Sequence, residues 1–191
     1  MQIRMNKVFF IAVLFWCGTL FIAMHAAAQA YTPTDKGSEV GFRIVNHLVF
    51  KSTVTGTLGQ LQGSIHFEPE HTEHASFKVS VAVSTISTGI GARDNHLKKE
   101  EYFNAQQFPT ILLQSTKVEK VAQANTYQLT GTLTIKGVSK PVTFTFTATP
   151  QQDGYLFQGS FNIKRLDYQV GPDNSIDNEL TVTLKVLALK A

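Results

Sequence analysis

The chain is predicted to fold as an all-β, antiparallel, eight-stranded up-and-down barrel with one short helix or loop insertion, and three observations predict it. From Val40 to Leu189 large apolar residues recur at every second position, with Thr, Ser, Gln or Lys between them. That is the period of strands with one apolar and one solvated face. Successive runs are joined by short links rich in turn residues, which favours an antiparallel meander. Several runs reach roughly ten residues or more, where five or six are usual. Long, cleanly alternating strands lose their exposed edges when the sheet closes on itself. A β-sandwich is the alternative. The interior of an eight-stranded barrel is either filled by side chains or holds one small ligand, and that choice decides the function.

The first thirty residues stand outside the pattern and have the makeup of an export signal. Arg4 and Lys7 give a positive start, an apolar run from Val8 to Met24 follows, and the segment ends in Ala28-Gln29-Ala30. This is an A-x-A cleavage site, with Tyr31 as the expected mature start. The run is shorter than the twenty or so apolar residues that span a bilayer, which argues against an uncleaved anchor. The expected organisation is therefore a signal peptide over 1–30 and one β-barrel domain over 31–191. Cys17, the only cysteine, lies inside the apolar run after Phe15-Trp16, where lipid attachment is not expected. The exported product would hold no disulfide and would depend on its core and closed topology.

Strands are expected at about 37–47, 54–67, 76–87, 110–121, 125–136, 140–150, 154–165 and 178–190. Thr32-Pro33 punctuates the start of the first. Phe77, Val79, Val81 and Val83 carry the third, and Tyr127, Leu129, Leu133 and Ile135 the fifth. Lys136-Gly137 and Lys140-Pro141 flank the next turn, after which Val142, Phe144 and Phe146 alternate. Asp153-Gly154 is expected to turn the sixth strand into the seventh, with the glycine supplying positive φ. Gly131 and Gly159 fall on the apolar side of their strands. Each either leaves space in the interior, or accommodates a neighbouring ring or a bulge.

One long interruption breaks the strand rhythm, from Gly89 to Pro109. Asp94 to Asn104 is expected to form a short helix with Asp94 as its N-cap. Leu97 and Tyr102 or Phe103 would face the body, with Lys98, Lys99, Glu100 and Glu101 exposed. An insertion of this kind in an all-β chain usually closes or flanks an opening.

Charge excludes one class of partner. The whole chain carries +3, and removing Arg4 and Lys7 leaves +1. No cluster of lysine and arginine tracks a phosphate backbone, so nucleic acid is not an expected partner.

Arg93, Asp94 and His96 form the most chemical-looking cluster. Arg93 and His96 could meet a polar or phosphorylated head group through charge-assisted hydrogen bonds. The competing arrangement has Asp94 capping a helix, Arg93 paired with a carboxylate, and His96 bonded to backbone while Leu97 inserts. His47, after the first strand, could join either. Catalysis is not expected: Asp94 and His96 would not face each other on a helix, and no Gly-x-Ser-x-Gly elbow or cysteine nucleophile is present. His66, His71 and His74 invite a metal reading. They lie around the turn Glu68-Pro69-Glu70, where ligand geometry is not preset, and no metal or other cofactor is assigned.

The motifs resemble a known family. Arg93-Asp94-Asn95-His96-Leu97, followed by Tyr102-Phe103-Asn104 and Phe108-Pro109, is similar to the central motif of the YceI-like exported polyisoprenoid-binding proteins. Ser38 to Ile44 with His47, Gly131 to Val142, and Phe161 to Tyr168 match in the same order, so the resemblance covers the mature chain. It implies a lipocalin-like barrel whose apolar pore holds the tail of an isoprenoid lipid, in the periplasm. Gln169-Val170 departs from the pattern, since the family often has Gly with an apolar residue there, which puts the local turn in doubt.

The expected wall of that pore is Phe42, Ile44, Val81, Val83, Leu97, Phe103, Phe108, Leu133, Phe144, Phe146, Phe161 and Val182, with His47, Arg93, Asp94 and His96 at the mouth. The first function is then an exported carrier or reservoir for a prenyl quinone or prenyl phosphate, meeting membranes transiently to exchange its lipid. The second is a protein- or glycan-binding module with a filled core. That module would expose aromatics on its polar face, with Tyr102 and Tyr168 as the candidates.

Overall fold

A computed structural model describes residues 29–47 and 50–191; the leader and Cys17 lie outside the described residues. Eight strands form a closed barrel in which each pairs with its sequence neighbour and the last with the first. They are β1 (Ala30–Asn46), β2 (Ser52–His66), β3 (Ser76–Ser87), β4 (Thr110–Lys120), β5 (Thr126–Ile135), β6 (Val138–Gln151), β7 (Gly154–Lys164) and β8 (Ile176–Lys190). All pairings are antiparallel. The expected fold class is the observed one, and the sandwich is not.

The first strand starts earlier than expected. Pro33 lies within β1, opposite Ala188 of β8. Pairing with β2 lapses between Tyr31 and Val40, so the missing proline N–H is not needed on that side. Beyond it β1 bulges, with Gly37 at φ 85°, and Ser38 Oγ accepts the Leu187 N–H at 2.8 Å. The sixth strand also starts early, at Val138, because Lys136 and Gly137 turn the chain with φ 50° and 74°. This is the pair of positive φ values that a two-residue hairpin turn requires.

Gly154 corrects a second expectation. It is the first residue of β7 rather than a positive-φ turn residue, and a β-carbon there would lie 1.9 Å from the Ala188 carbonyl oxygen. Close approach of two backbones, not turn geometry, calls for glycine. Gly131 has a similar cause, since its β-carbon would lie 2.3 Å from the Gln114 carbonyl oxygen, beside a shift in the β4 to β5 register between Ser115 and Lys117.

Bulges also decide which residues face inward. Gln60 at φ 53° breaks the β2 alternation, so Leu58 and Leu61 both reach the interior although they are three apart. Above Phe146 and Gly159 the β6 to β7 ladder ends. There the rings of Phe144 and Phe161 stack across the seam at 4.4 Å.

One end of the barrel is sealed by aromatic rings. Phe67, fully buried, has ring centroids between 5.0 and 6.4 Å from Phe77, Tyr127, Phe146, Tyr155 and Phe157. All five pairs are edge-to-face, a favoured geometry. The other end carries the β1–β2 hairpin, the 88–109 insertion, the β5–β6 turn, and a 3-10 turn over Arg165–Tyr168. Within the insertion, α1 spans Gly91–Leu97, earlier and shorter than the expected 94–104. Ile90, not Asp94, is its N-cap, because the Asp94 side chain folds back to accept the Thr88 N–H at 2.8 Å.

Candidate functional site

The inward residues do not fill the barrel. They enclose a cavity of about 250 Å³ that runs from Phe146 and Phe157 at the aromatic floor to Arg93 and Arg165 at the opposite end. Its wall draws on every strand, including Phe42 and Ile44 of β1, Val81 of β3, Leu133 of β5, Phe144 of β6, Phe161 of β7 and Val182 of β8. A dry, filled centre, which the interaction-module alternative required, is therefore not what the barrel contains. Tyr102 and Tyr168, its candidate exposed aromatics, are both buried.

Small residues make part of this space. A β-carbon on Gly56 would lie 2.4 Å from Phe42 Cζ, so the Phe42 ring rests over the neighbouring strand. Gly159 lines the cavity between Phe157 and Phe161. A β-carbon there would touch Phe146 Cβ at 3.2 Å and Phe144 Cδ2 at 3.4 Å. Glycine here accommodates neighbouring rings as well as widening the interior.

Ten of the twelve expected wall residues line the cavity: Phe42, Ile44, Val81, Leu97, Phe103, Leu133, Phe144, Phe146, Phe161 and Val182. Val83 is buried but does not reach it. Beyond Ala82 the β3 register with β2 shifts, and the Val83 N–H bonds instead to the Pro109 carbonyl. Phe108 also lies outside, with its ring 2.7 Å from where a β-carbon on Gly137 would be.

The four expected mouth residues separate. Arg93 lines the cavity. Its Nε donates to Thr88 Oγ1 at 2.7 Å and its Nη2 to the Thr88 carbonyl at 2.9 Å, so Thr88 is its partner rather than a carboxylate. Among the described residues Nη1 has no hydrogen-bond partner. Asp94 completes this local network without lining the cavity. Its carboxyl is held below the usual aspartate value, chiefly by the Thr88 hydroxyl. His96 turns away, its ring edge-on to Tyr102 at 4.9 Å and its Nε2 3.9 Å from Glu101 Oε2. His47 Nε2 lies 2.9 Å from Asp177 Oδ1, joining the β1–β2 hairpin to the start of β8.

Arg165 is the residue that the expectations missed. It is buried, and all its donor nitrogens are used. Nε donates to the Asp177 carbonyl, Nη1 to those of Val170 and Pro172, and Nη2 to Asn174 Oδ1 and the Ile176 carbonyl. No carboxylate stands among these partners, so the guanidinium leaves positive charge at the polar end while organising the 165–177 connection. Its position was legible: Phe157, Gly159, Phe161 and Ile163 set the inward phase of β7, and Arg165 is the next residue in that phase.

The insertion and this connection clasp each other. The Tyr102 ring packs on Gly171, the Gly171 N–H donates to the Glu101 carbonyl at 3.0 Å, and Lys136 Nζ donates to the Gln169 carbonyl at 2.9 Å. The doubtful turn forms, with Gln169 itself in the left-handed region at φ 56°. For metal binding, no group of three or more His, Cys, Asp or Glu among the described residues could hold an ion. His66 bonds to Ser76, whereas His71 and His74 lie against Glu73.

Comparison with known proteins agrees with this architecture. Residues 31–188 match a family model described as the YceI-like domain. A UPF0312 protein of Yersinia enterocolitica is 32% identical over 183 residues, covering 90% of this chain and 92% of that one. The crystal structure of Burkholderia cenocepacia BcnA superposes with a TM-score of 0.73 at 22% identity, covering 81% of this chain and 98% of that one. A polyisoprenoid binding domain from Saccharophagus degradans, implicated in plant cell wall breakdown, gives 0.69 at 14% identity, covering 85% and 99%. These two likenesses concern the fold.

Proposed function

We propose that this chain, which belongs to the YceI-like family, is an exported soluble carrier or reservoir for one isoprenoid-type lipid. Membership in a family of small lipid-associated barrels accords with a binding protein rather than an enzyme. The barrel is able to enclose a hydrophobic ligand, and the observation that carries the proposal is the continuous apolar cavity between the aromatic floor and Arg93. The prenyl tail would lie along Phe42, Val182 and Phe161, with the head towards Arg93. Burial of each methylene is worth about 0.8 kcal/mol, so a few isoprene units suffice before ordering costs are subtracted. The isoprenoid class draws on the similar fold of the Saccharophagus degradans domain, described as polyisoprenoid binding.

Selectivity would come from the polar end. Among the described residues Arg93 has an unused donor edge and Arg165 has no carboxylate partner, so the cavity favours a head group that accepts hydrogen bonds. The oxygen of a prenyl quinone and that of a prenyl phosphate both meet this condition. Asp94 would act through Arg93 by fixing Thr88, while His47 and His96 would support the rim rather than touch the ligand.

Thermal unfolding of lipid-free protein tests the reading. A prenyl quinone or prenyl phosphate should raise Tm in proportion to the logarithm of its concentration. Arg93→Gln should weaken the prenyl phosphate more than a head-free prenyl hydrocarbon. No shift with any chain length would contradict the proposal.

A further inference from the structure

Three large apolar side chains are exposed among the described residues: Phe50 at 83%, Ile90 at 53% and Leu189 at 40%. Leu189, in β8, lies at the aromatic floor opposite Gly154. Phe50 and Ile90 lie at the other end. Phe50 precedes β2 on the hairpin whose flanks, Ile44 and Val54, are paired and line the cavity. Ile90 caps α1 between Gly89 and Gly91, at both of which a β-carbon would meet open space. From Ile90 the helix leads directly to Arg93 and Leu97 on the cavity wall. Two exposed apolar side chains thus stand at the polar end of the barrel, on separate segments that lead into the cavity wall.

From this placement we propose that the polar end is a docking surface for a phospholipid bilayer, with Phe50 and Ile90 entering the interface. Two projecting tips on different loops do not make the flat, complementary patch of roughly 800 Å² per partner that a stable protein interface needs. A bilayer is fluid and closes around such tips, and an aromatic ring is well suited to its interfacial layer. Lys51, beside Phe50, and Lys99, beyond α1, form no ion pair among the described residues. Both can therefore face lipid phosphates. Docked this way, the polar end of the cavity, with Arg93 on its wall, faces the bilayer that would supply or receive an apolar ligand. The proposal rests on the lipid-carrier reading for its purpose, but not for its measurement.

The test is flotation of the protein, as its host accumulates it, with vesicles of phosphatidylethanolamine and phosphatidylglycerol that contain no isoprenoid. Wild type should float with the vesicles. Phe50→Ser should lower the partition about tenfold and Ile90→Ser several-fold, the scale set by burial of one large side chain. Leu189→Ser, at the opposite end, should leave it unchanged. Wild type that stays with the soluble fraction, or a loss with Leu189→Ser equal to that with Phe50→Ser, overturns the proposal. So does a Phe50-dependent dimer in sedimentation without vesicle binding, which would assign the tips to a second copy. Uptake of a prenol from a cyclodextrin complex is measured in parallel. Phe50-dependent flotation without uptake would sustain the docking surface and remove the carrier reading, whereas uptake without flotation would do the reverse.

Discussion

The ring of Tyr102 lies against Gly171: a β-carbon on that glycine would come within 2.6 Å of Tyr102 Cε1. Gly171 also has φ 70°, so a side chain there is opposed both by the ring and by the backbone. Through this contact the insertion that carries Arg93 and Leu97 is fastened to the connection that carries Arg165. Gly171→Ala should destabilise the protein by about 1–3 kcal/mol, seen as a lower midpoint in urea. An unchanged midpoint would mean that the two segments are not fastened here.

Arg165 should be the costliest single truncation at the polar end. Four backbone carbonyls and Asn174 depend on its guanidinium. Arg165→Met should cost roughly 2–4 kcal/mol, because those oxygens lose a charged donor while partly screened from water. Arg165→Lys should recover little, since an ammonium cannot reproduce the planar fork. Full recovery by lysine would show that charge rather than geometry is what the connection needs.

Gln169 offers the opposite sign. It is exposed, holds φ 56°, and contributes its backbone carbonyl, not its side chain, to Lys136. Gln169→Gly should therefore stabilise by about 0.5–1 kcal/mol, the relief of left-handed strain exceeding the added chain entropy. A loss of stability in thermal unfolding would show that the side chain has a role of its own.

Acid should loosen the α1 region through Asp94. Hydrogen bonding from Thr88, aided by Arg93, lowers the carboxyl below its ordinary 3.8. A depressed folded value stabilises the protein above the ordinary aspartate range, and the benefit is lost as pH falls through the lowered value. The stability gap between wild type and Asp94→Asn should be present at neutral pH and close in strong acid. A gap that does not change with pH would remove the carboxylate from this role.

The sequence carried the barrel because period-two alternation is local: Tyr127 to Ile135 or Leu180 to Val186 can be placed without knowing a neighbour. What it carried poorly were events between strands. The Gln60 bulge that turns both Leu58 and Leu61 inward, and the backbone approach of Gly154 to Ala188, depend on the paired strand. Asp94 does not cap the helix because its partner, Thr88, lies behind it rather than ahead. Arg165 was visible as a charge in an apolar phase. Its carbonyl partners from Val170 to Asp177 became apparent only once the connection folded around it. The cavity itself was open to either outcome, since Phe144 and Phe161 would alternate in the same way in a filled core.

Native mass spectrometry of the protein from its own host, with lipid extraction from the same sample and Val182→Trp in parallel, asks whether the cavity holds an isoprenoid lipid. One prenyl quinone or prenyl phosphate should be bound per chain, and the bound fraction should fall sharply when the indole occupies the cavity beside Phe42 and Phe161. Wild-type protein that is consistently empty and takes up no added prenyl lipid, or a Val182→Trp variant that binds as well as wild type, would contradict it.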